Sequence, residues 1–313
     1  MDPERKSLLE AFTRVIVAVV LLVLLISHVK TDELIGSLLK AWLPYLLLAI
    51  FYQYASVLIG SINQYILFQP FLSLPFRHFA SSYFKAFVAG LLFPGQLGDV
   101  SIVLFLKSQG LYYSQSLAVY IWDKCITLIF YLGMVFMVLT DLMGYPKILS
   151  PILLLGLVIF SAFFVYSFSS FGLFRLFERW AGSFIQFAQD TVSQIFIYAR
   201  THPVRLLVNC ILTCLKFLLV MFCYHAVFTS LGYALSIWKV GISSIASGIV
   251  AYVPISIHGL GTVEATAIWI FGRLDVASSD VLSGFLVLRA SVYILAFLIF
   301  GLIWLLDKKD LPQ

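Results

Sequence analysis

Charge is scarce in this sequence. Asp, Glu, Lys and Arg make up 11% of its 313 residues, where a soluble domain carries about a quarter. That shortage excludes an ordinary water-soluble fold. The net charge of +5 suits anionic lipid headgroups rather than nucleic acid. Cysteine is also sparse: Cys125, Cys210, Cys214 and Cys223 all lie in apolar segments without CxxC spacing, so they are expected to pack as small apolar residues, and no metal site is expected. There is no Walker loop, HExxH or GxSxG motif, and no soluble segment able to bind a nucleotide. An ATP-driven pump is therefore not expected, nor a cofactor, nor an enzyme. No nucleophile–base pair stands out that would favour an intramembrane transferase.

Hydrocarbon is what the chain has in abundance: 62% of its residues are hydrophobic. Several apolar runs reach the roughly 20 residues that cross a ~30 Å hydrocarbon core, whereas a β-barrel would show short alternating strands. The fold class read from this is an all-α polytopic membrane protein. Full crossings are expected near 14–29, 41–64, 114–140, 149–171, 204–231 and 280–306. The basic N-terminus precedes an apolar run longer than a signal-peptide core and without a small-residue cleavage site, so it reads as a retained first span.

Two further apolar regions, 79–108 and 241–274, are each interrupted by Pro and Gly. Arms of about 10 to 14 residues cover roughly half the bilayer, so each region is expected to be a re-entrant helical hairpin; the plainer alternative is one kinked span apiece. With both termini in the cytoplasm, eleven Lys and Arg residues fall on inside segments and five outside, in accord with the positive-inside rule. Residues 1–140 and 148–313 then contain the same elements in the same order and opposite orientation, an inverted-topology repeat of the kind that binds substrates near the midplane. Segment 172–200 differs: Leu173, Phe177, Trp180, Phe184 and Phe187 fall on one helical side, Arg175, Arg179, Gln186 and Asp190 on the other. It reads as an interfacial helix on the cytoplasmic surface.

The chemistry is concentrated at the two interruptions. In "FPGQLGD" the chain turns at Pro94 and Gly95, and Gly98 permits a new helix with Asp99 in its first turn. In "VPISIHGLGTVE" it turns at Gly259 and Gly261, and a helix starts near Thr262 with Glu264 in its first turn. Free N–H groups at such starts favour an anion such as a phosphate. Plain helix capping would also explain both acids, but an intramembrane carboxylate is costly and marks a functional position by default. Asp123 and Arg289 lie inside spans at matching distances from the two tips, 25 residues after Gly98 and 28 after Gly261. Arg289 is suited either to grip a phosphate bidentately or to bridge to Glu264 or Asp123. His258, at the second tip, is placed to donate to an anion or to serve a structural bond. The substrate-binding candidates are thus Gly95, Gly98, Asp99, Gly259, Gly261 and Glu264, followed by Asp123, His258 and Arg289.

The stretches "LLFPGQLGDVSIVLFLKSQGLYYSQSLAVYIWDK" and "SGIVAYVPISIHGLGTVEATAIWIF", with Arg289 downstream, resemble the flippase-like membrane domain of lysylphosphatidylglycerol synthases. That family also includes stand-alone proteins and domains fused to glycosyltransferases. The first tip departs from the family pattern, with Gln96 where an arginine is common and Asp99 where the acid is more often Glu. The resemblance implies movement of an anionic or phosphate-bearing lipid between leaflets of the cell membrane, with membrane lipids as partners and a lipid-modifying enzyme or glycosyltransferase as a further one. Synthase activity is not expected, because the soluble domain that makes the aminoacyl lipid is not in this sequence. The rival expectations are a transporter of a small polar solute or ion, and a non-transporting scaffold for a lipid-modifying enzyme.

Overall fold

The computed structural model describes residues 39–92, 101–107, 109–143, 173–253 and 256–309, with Asp32 and Gly36. Among these residues the chain is helical and forms no strands. The described residues form nine α-helices: α1 (Leu43–Phe68), α2 (Phe76–Leu92), α3 (Ser101–Lys107), α4 (Tyr113–Met143), α5 (Leu173–Thr201), α6 (Pro203–Ser230), α7 (Ile237–Gly248), α8 (Thr262–Phe271) and α9 (Ser278–Lys309). Four of them are long and apolar enough to cross a bilayer: Leu43–Phe68, Tyr113–Asp141, Pro203–Ser230 and Ser278–Gly301. They coincide with the expected spans 41–64, 114–140, 204–231 and 280–306. The spans expected at 14–29 and 149–171 lie outside the described residues.

Within the second interrupted region the chain turns at its glycines, Gly259 and Gly261. Region 241–274 consists of the 12-residue α7, a short 3-10 turn at Ile249–Tyr252, and the 10-residue α8. At ~1.5 Å per residue neither helix covers more than about 18 Å, and the two pack against each other. Region 79–108 contains most of α2 and all of α3, while its tip, 93–100, lies outside the described residues.

The residues group into two compact units. The first comprises 1–58, 83–101 and 216–313, the second 59–82 and 102–215, so the boundaries fall inside α1, α2, α3 and α6. In the first unit, Ala49, Val88, Leu91, Cys223, Ala226, Val227, Leu288 and Val292 form one apolar cluster. A second cluster gathers Phe228, Val240, Ala251, Val263, Ala267, Phe271 and Phe285 around α8, with the rings of Phe228 and Phe271 stacked at 4.4 Å. Small residues make the close approaches. Every residue from Val240 to Ser247 on α7 is buried, and a Cβ added at Gly241 would stand 2.5 Å from Met221 Cγ and 2.6 Å from its Cβ on α6. Small residues at helix interfaces are a general device of membrane bundles, where backbone proximity replaces the hydrophobic effect as the source of packing energy. In the connection after α6, Tyr233 donates to Asp280 Oδ2 at 2.5 Å and accepts from the Ala277 amide at 3.2 Å, and burial, then Asp280, pushes this phenol above its ordinary pKa.

In the second unit α5 packs along α4. Trp122 Nε1 donates to the Ile195 carbonyl at 3.0 Å, and Thr191, Ile195 and Tyr198 form the buried stripe while Gln186, Asp190 and Ser193 are exposed. Of the C-terminal carbonyls of α1, which have no partner within the helix, those of Tyr65 and Phe68 accept from the backbone just beyond it, and those of Ile66 and Leu67 are taken by side chains of later elements. Tyr198 donates to Leu67 O at 2.7 Å, and Arg205 donates to Ile66 O at 2.6 Å and to Gln69 Oε1 at 2.9 Å. Of the four cysteines only Cys223 is buried, and none forms a disulfide.

Overpacking the α6–α7 contact with Gly241→Ala is expected to cost about 1–3 kcal/mol, because the new methyl meets the Met221 side chain from its root to its end, and the Cβ at 2.6 Å cannot swing aside. Gly301→Ala, where nothing lies within 4 Å of the added Cβ, is expected to be neutral or to stabilise by up to about 1 kcal/mol through helix propensity. Thermal melting of the two variants in detergent, beside the unmodified chain, checks the contrast.

Candidate functional site

The second interruption is a structured turn. Ile257 to Leu260 form a β-turn closed by the Leu260 amide on the Ile257 carbonyl at 2.8 Å. Both central residues have positive φ, +45° at His258 and +70° at Gly259, the signature of a type I′ turn. Glycine adopts this conformation without penalty; a histidine does so at a cost that the surrounding contacts must offset. Gly261, at φ +83°, then delivers the chain into α8. Substitution of Gly259 would be penalised twice, since an added Cβ would also lie 2.6 Å from Val263 Cγ2 and 2.8 Å from Ala251 Cβ.

Glu264 sits at the third position of α8 and is fully buried. Its Oε2 reaches back to accept from the Gly261 amide at 2.7 Å, closing one of the N-terminal donors that a helix start leaves open. Its Oε1 accepts from Arg289 Nε at 2.8 Å and lies 2.7 Å from Nη2. The remaining arm of the guanidinium, Nη1, donates to the His258 carbonyl at 3.0 Å. A single arginine on α9 thus holds both the start of α8 and the strained residue of the turn. Of the alternatives open to Arg289, the structure shows the bridge to Glu264. The arginine is the more accessible partner: 14% of its side chain is exposed, against 0% for Glu264.

The tip is also tied to α2. The His258 ring Nδ1 lies 3.2 Å from the Gly90 carbonyl, and Tyr293, one turn beyond Arg289 on α9, donates to the Leu91 carbonyl at 3.2 Å. A carbonyl oxygen only accepts, so His258 carries its proton on Nδ1 in this contact. These two carbonyls belong to the last turn of α2, where intrahelical donors run out. The end of α2, which leads into the first interruption, is therefore fastened to the turn of the second.

Of the nine candidates, Gly259, Gly261, Glu264, His258 and Arg289 come together in this cluster. Gly95, Gly98 and Asp99 lie outside the described residues. Asp123 belongs to the other compact unit; it is buried there and accepts from Gln64 Nε2 at 3.1 Å and from Asn209 Nδ2 at 3.0 Å. Sequence reasoning did not single out Tyr293, Gln64, Asn63 or Asn209. The signal for the three amides was present: an Asn or Gln inside a long apolar helix is as anomalous there as an acid. Among the described residues no group of three or more His, Cys, Asp or Glu is arranged to hold a metal ion.

The family model described as "Lysylphosphatidylglycerol synthase TM region" matches residues 12–299, nearly the whole chain. No curated protein is significantly similar to it.

Removing one partner of a buried ion pair strands the other, so Glu264→Gln or Arg289→Gln is expected to cost about 3–5 kcal/mol. The double substitution is expected to cost clearly less than the sum of the two, by 1 kcal/mol or more on the order typical of contacting residues. Melting the three variants in detergent as a double-mutant cycle checks this; additive losses would mean that the pair does not couple.

Proposed function

This chain belongs to the lysylphosphatidylglycerol synthase TM-region family, and from that premise we propose that it is a lipid translocator, moving an anionic or phosphate-bearing lipid between leaflets without an ATPase of its own. The observation that carries the reading is the Arg289–Glu264 pair at the broken-helix turn. Charges inside a bundle of membrane helices are retained where they meet a polar substrate or pathway, and this pair sits where two half-length helices meet. A phosphate approaches the pair from the side of the accessible arginine, whose planar fork matches phosphate oxygens. It competes there with Glu264 for the guanidinium, so binding and release are coupled to an internal exchange of partners. The headgroup would pass along the turn while acyl or prenyl chains stay in the surrounding hydrocarbon.

The same reading takes α7–α8 as one re-entrant hairpin and region 79–108 as the other, with Gly95, Gly98 and Asp99 lining the first tip opposite Gly259, Gly261 and Glu264 of the second. It assigns six crossings in an inverted repeat, both termini to the cytoplasm of a cell that carries the protein in its plasma or inner membrane, and α5 to the cytoplasmic surface. It assigns no catalytic residue; chemistry on the lipid would fall to a partner enzyme.

Vesicles containing the purified chain and NBD-labelled phosphatidylglycerol test the proposal by dithionite bleaching. The expected result is bleaching of the inner-leaflet probe well above protein-free vesicles, slowed at least about tenfold, the equivalent of ~1.4 kcal/mol, by Glu264→Gln at equal folded protein. Bleaching no faster than in protein-free vesicles overturns the reading for this lipid class.

A further inference from the structure

The second unit contains a polar centre with a charge deficit. The Asp123 residue is 4% exposed, roughly 15 Å along α4 from its start. Its two carboxylate oxygens accept from Gln64 of α1 and Asn209 of α6. Asn63 extends the network, donating to Thr213 Oγ1 at 3.0 Å and to the Asn209 carbonyl at 3.4 Å. Gln64, Asn63, Asn209 and Thr213 are all buried, at 5%, 1%, 0% and 0% exposure. No cationic side chain among the described residues pairs with Asp123. Lys124 stands over the Tyr120 ring, and Arg205 is spent on Ile66 O and Gln69.

Each amide gives its nitrogen to this network and keeps its oxygen unpaired. Gln64 Oε1, Asn209 Oδ1 and Asn63 Oδ1 are buried without a hydrogen-bond partner, as is Thr127 Oγ1, one turn beyond Asp123 on the same face of α4. The centre therefore holds one carboxylate and more buried oxygen acceptors than the described residues supply with hydrogen-bond partners. Buried charges are stable only when paired or coordinating a metal, and buried acceptors only when satisfied. Carboxylate, amide and hydroxyl oxygens are the donor set of hard cations. With a single carboxylate, a monovalent ion brings the centre to neutrality, whereas a divalent one would leave a net positive charge in hydrocarbon.

The geometry points to a binding site for a hard monovalent cation of the sodium class, formed by Asp123 with the side-chain oxygens of Gln64, Asn209 and Asn63 and completed by Thr127. The site is independent of the lipid reading: it lies in the other unit and uses none of the residues at the turn. It would give a transporter without an ATPase a point at which an ion gradient can act.

The test is to melt the purified chain in detergent in sodium chloride and in choline chloride at equal ionic strength. The expected result is a saturable rise of several degrees in sodium, as mass action requires of an ion that binds only the folded chain, and no sodium-dependent rise in Asp123→Asn. Equal melting in the two salts, or the same sodium-dependent rise in Asp123→Asn, overturns the site. If the variant does not fold, radiosodium binding to the unmodified chain decides. A saturable site displaced by unlabelled sodium and not by choline is expected, and absence of saturable binding overturns the proposal.

Discussion

A helix that stops inside a membrane protein leaves N–H and C=O groups that no water is present to satisfy, and this constraint organises the part of the molecule around Arg289. The guanidinium holds Glu264, Glu264 holds the Gly261 amide at the start of α8, and the same guanidinium holds the His258 carbonyl in the turn before it. Without the arginine, the carboxylate would be a lone charge and the turn would lose its anchor. Without the carboxylate, the arginine would be the lone charge. The short helices α7 and α8 can exist as separate half-length pieces because their junction is closed by these three residues.

The same rule accounts for side chains that otherwise look incidental. His258 and Tyr293 meet the last carbonyls of α2, and Tyr198 and Arg205 meet the last carbonyls of α1. In each case a later element in the chain supplies the donors that the helix end lacks. Termination and tertiary packing are thus one event: the helix can end there only because another segment is in contact with its end.

The two polar centres differ in a way that bears on function. The pair at the turn is charge-balanced and linked to the backbone, and its arginine is slightly exposed. The Asp123 centre is unbalanced, closed from the surface and rich in unpaired oxygens. The first is suited to trading one anion for another on a guanidinium, the second to accepting a cation.

Much of this was legible in the one-dimensional pattern. The four described spans follow from uninterrupted apolar length, because hydrocarbon thickness translates directly into residue number. The break at Gly259 and Gly261 follows from the backbone conformations that only glycine adopts freely, and Glu264 follows from its place in the first turn of the next helix. Which partner Arg289 chose did not follow, since Glu264, Asp123 and a phosphate are equally good in charge. Nor did the amides around Asp123, which lie 59 and 86 residues from it along the chain. Length, breaks and charges are properties of local sequence and were determined there. The pairing of faces depends on how each helix is rotated against its neighbours, and that rotation is decided by side-chain volumes and glycine contacts summed over the tertiary structure.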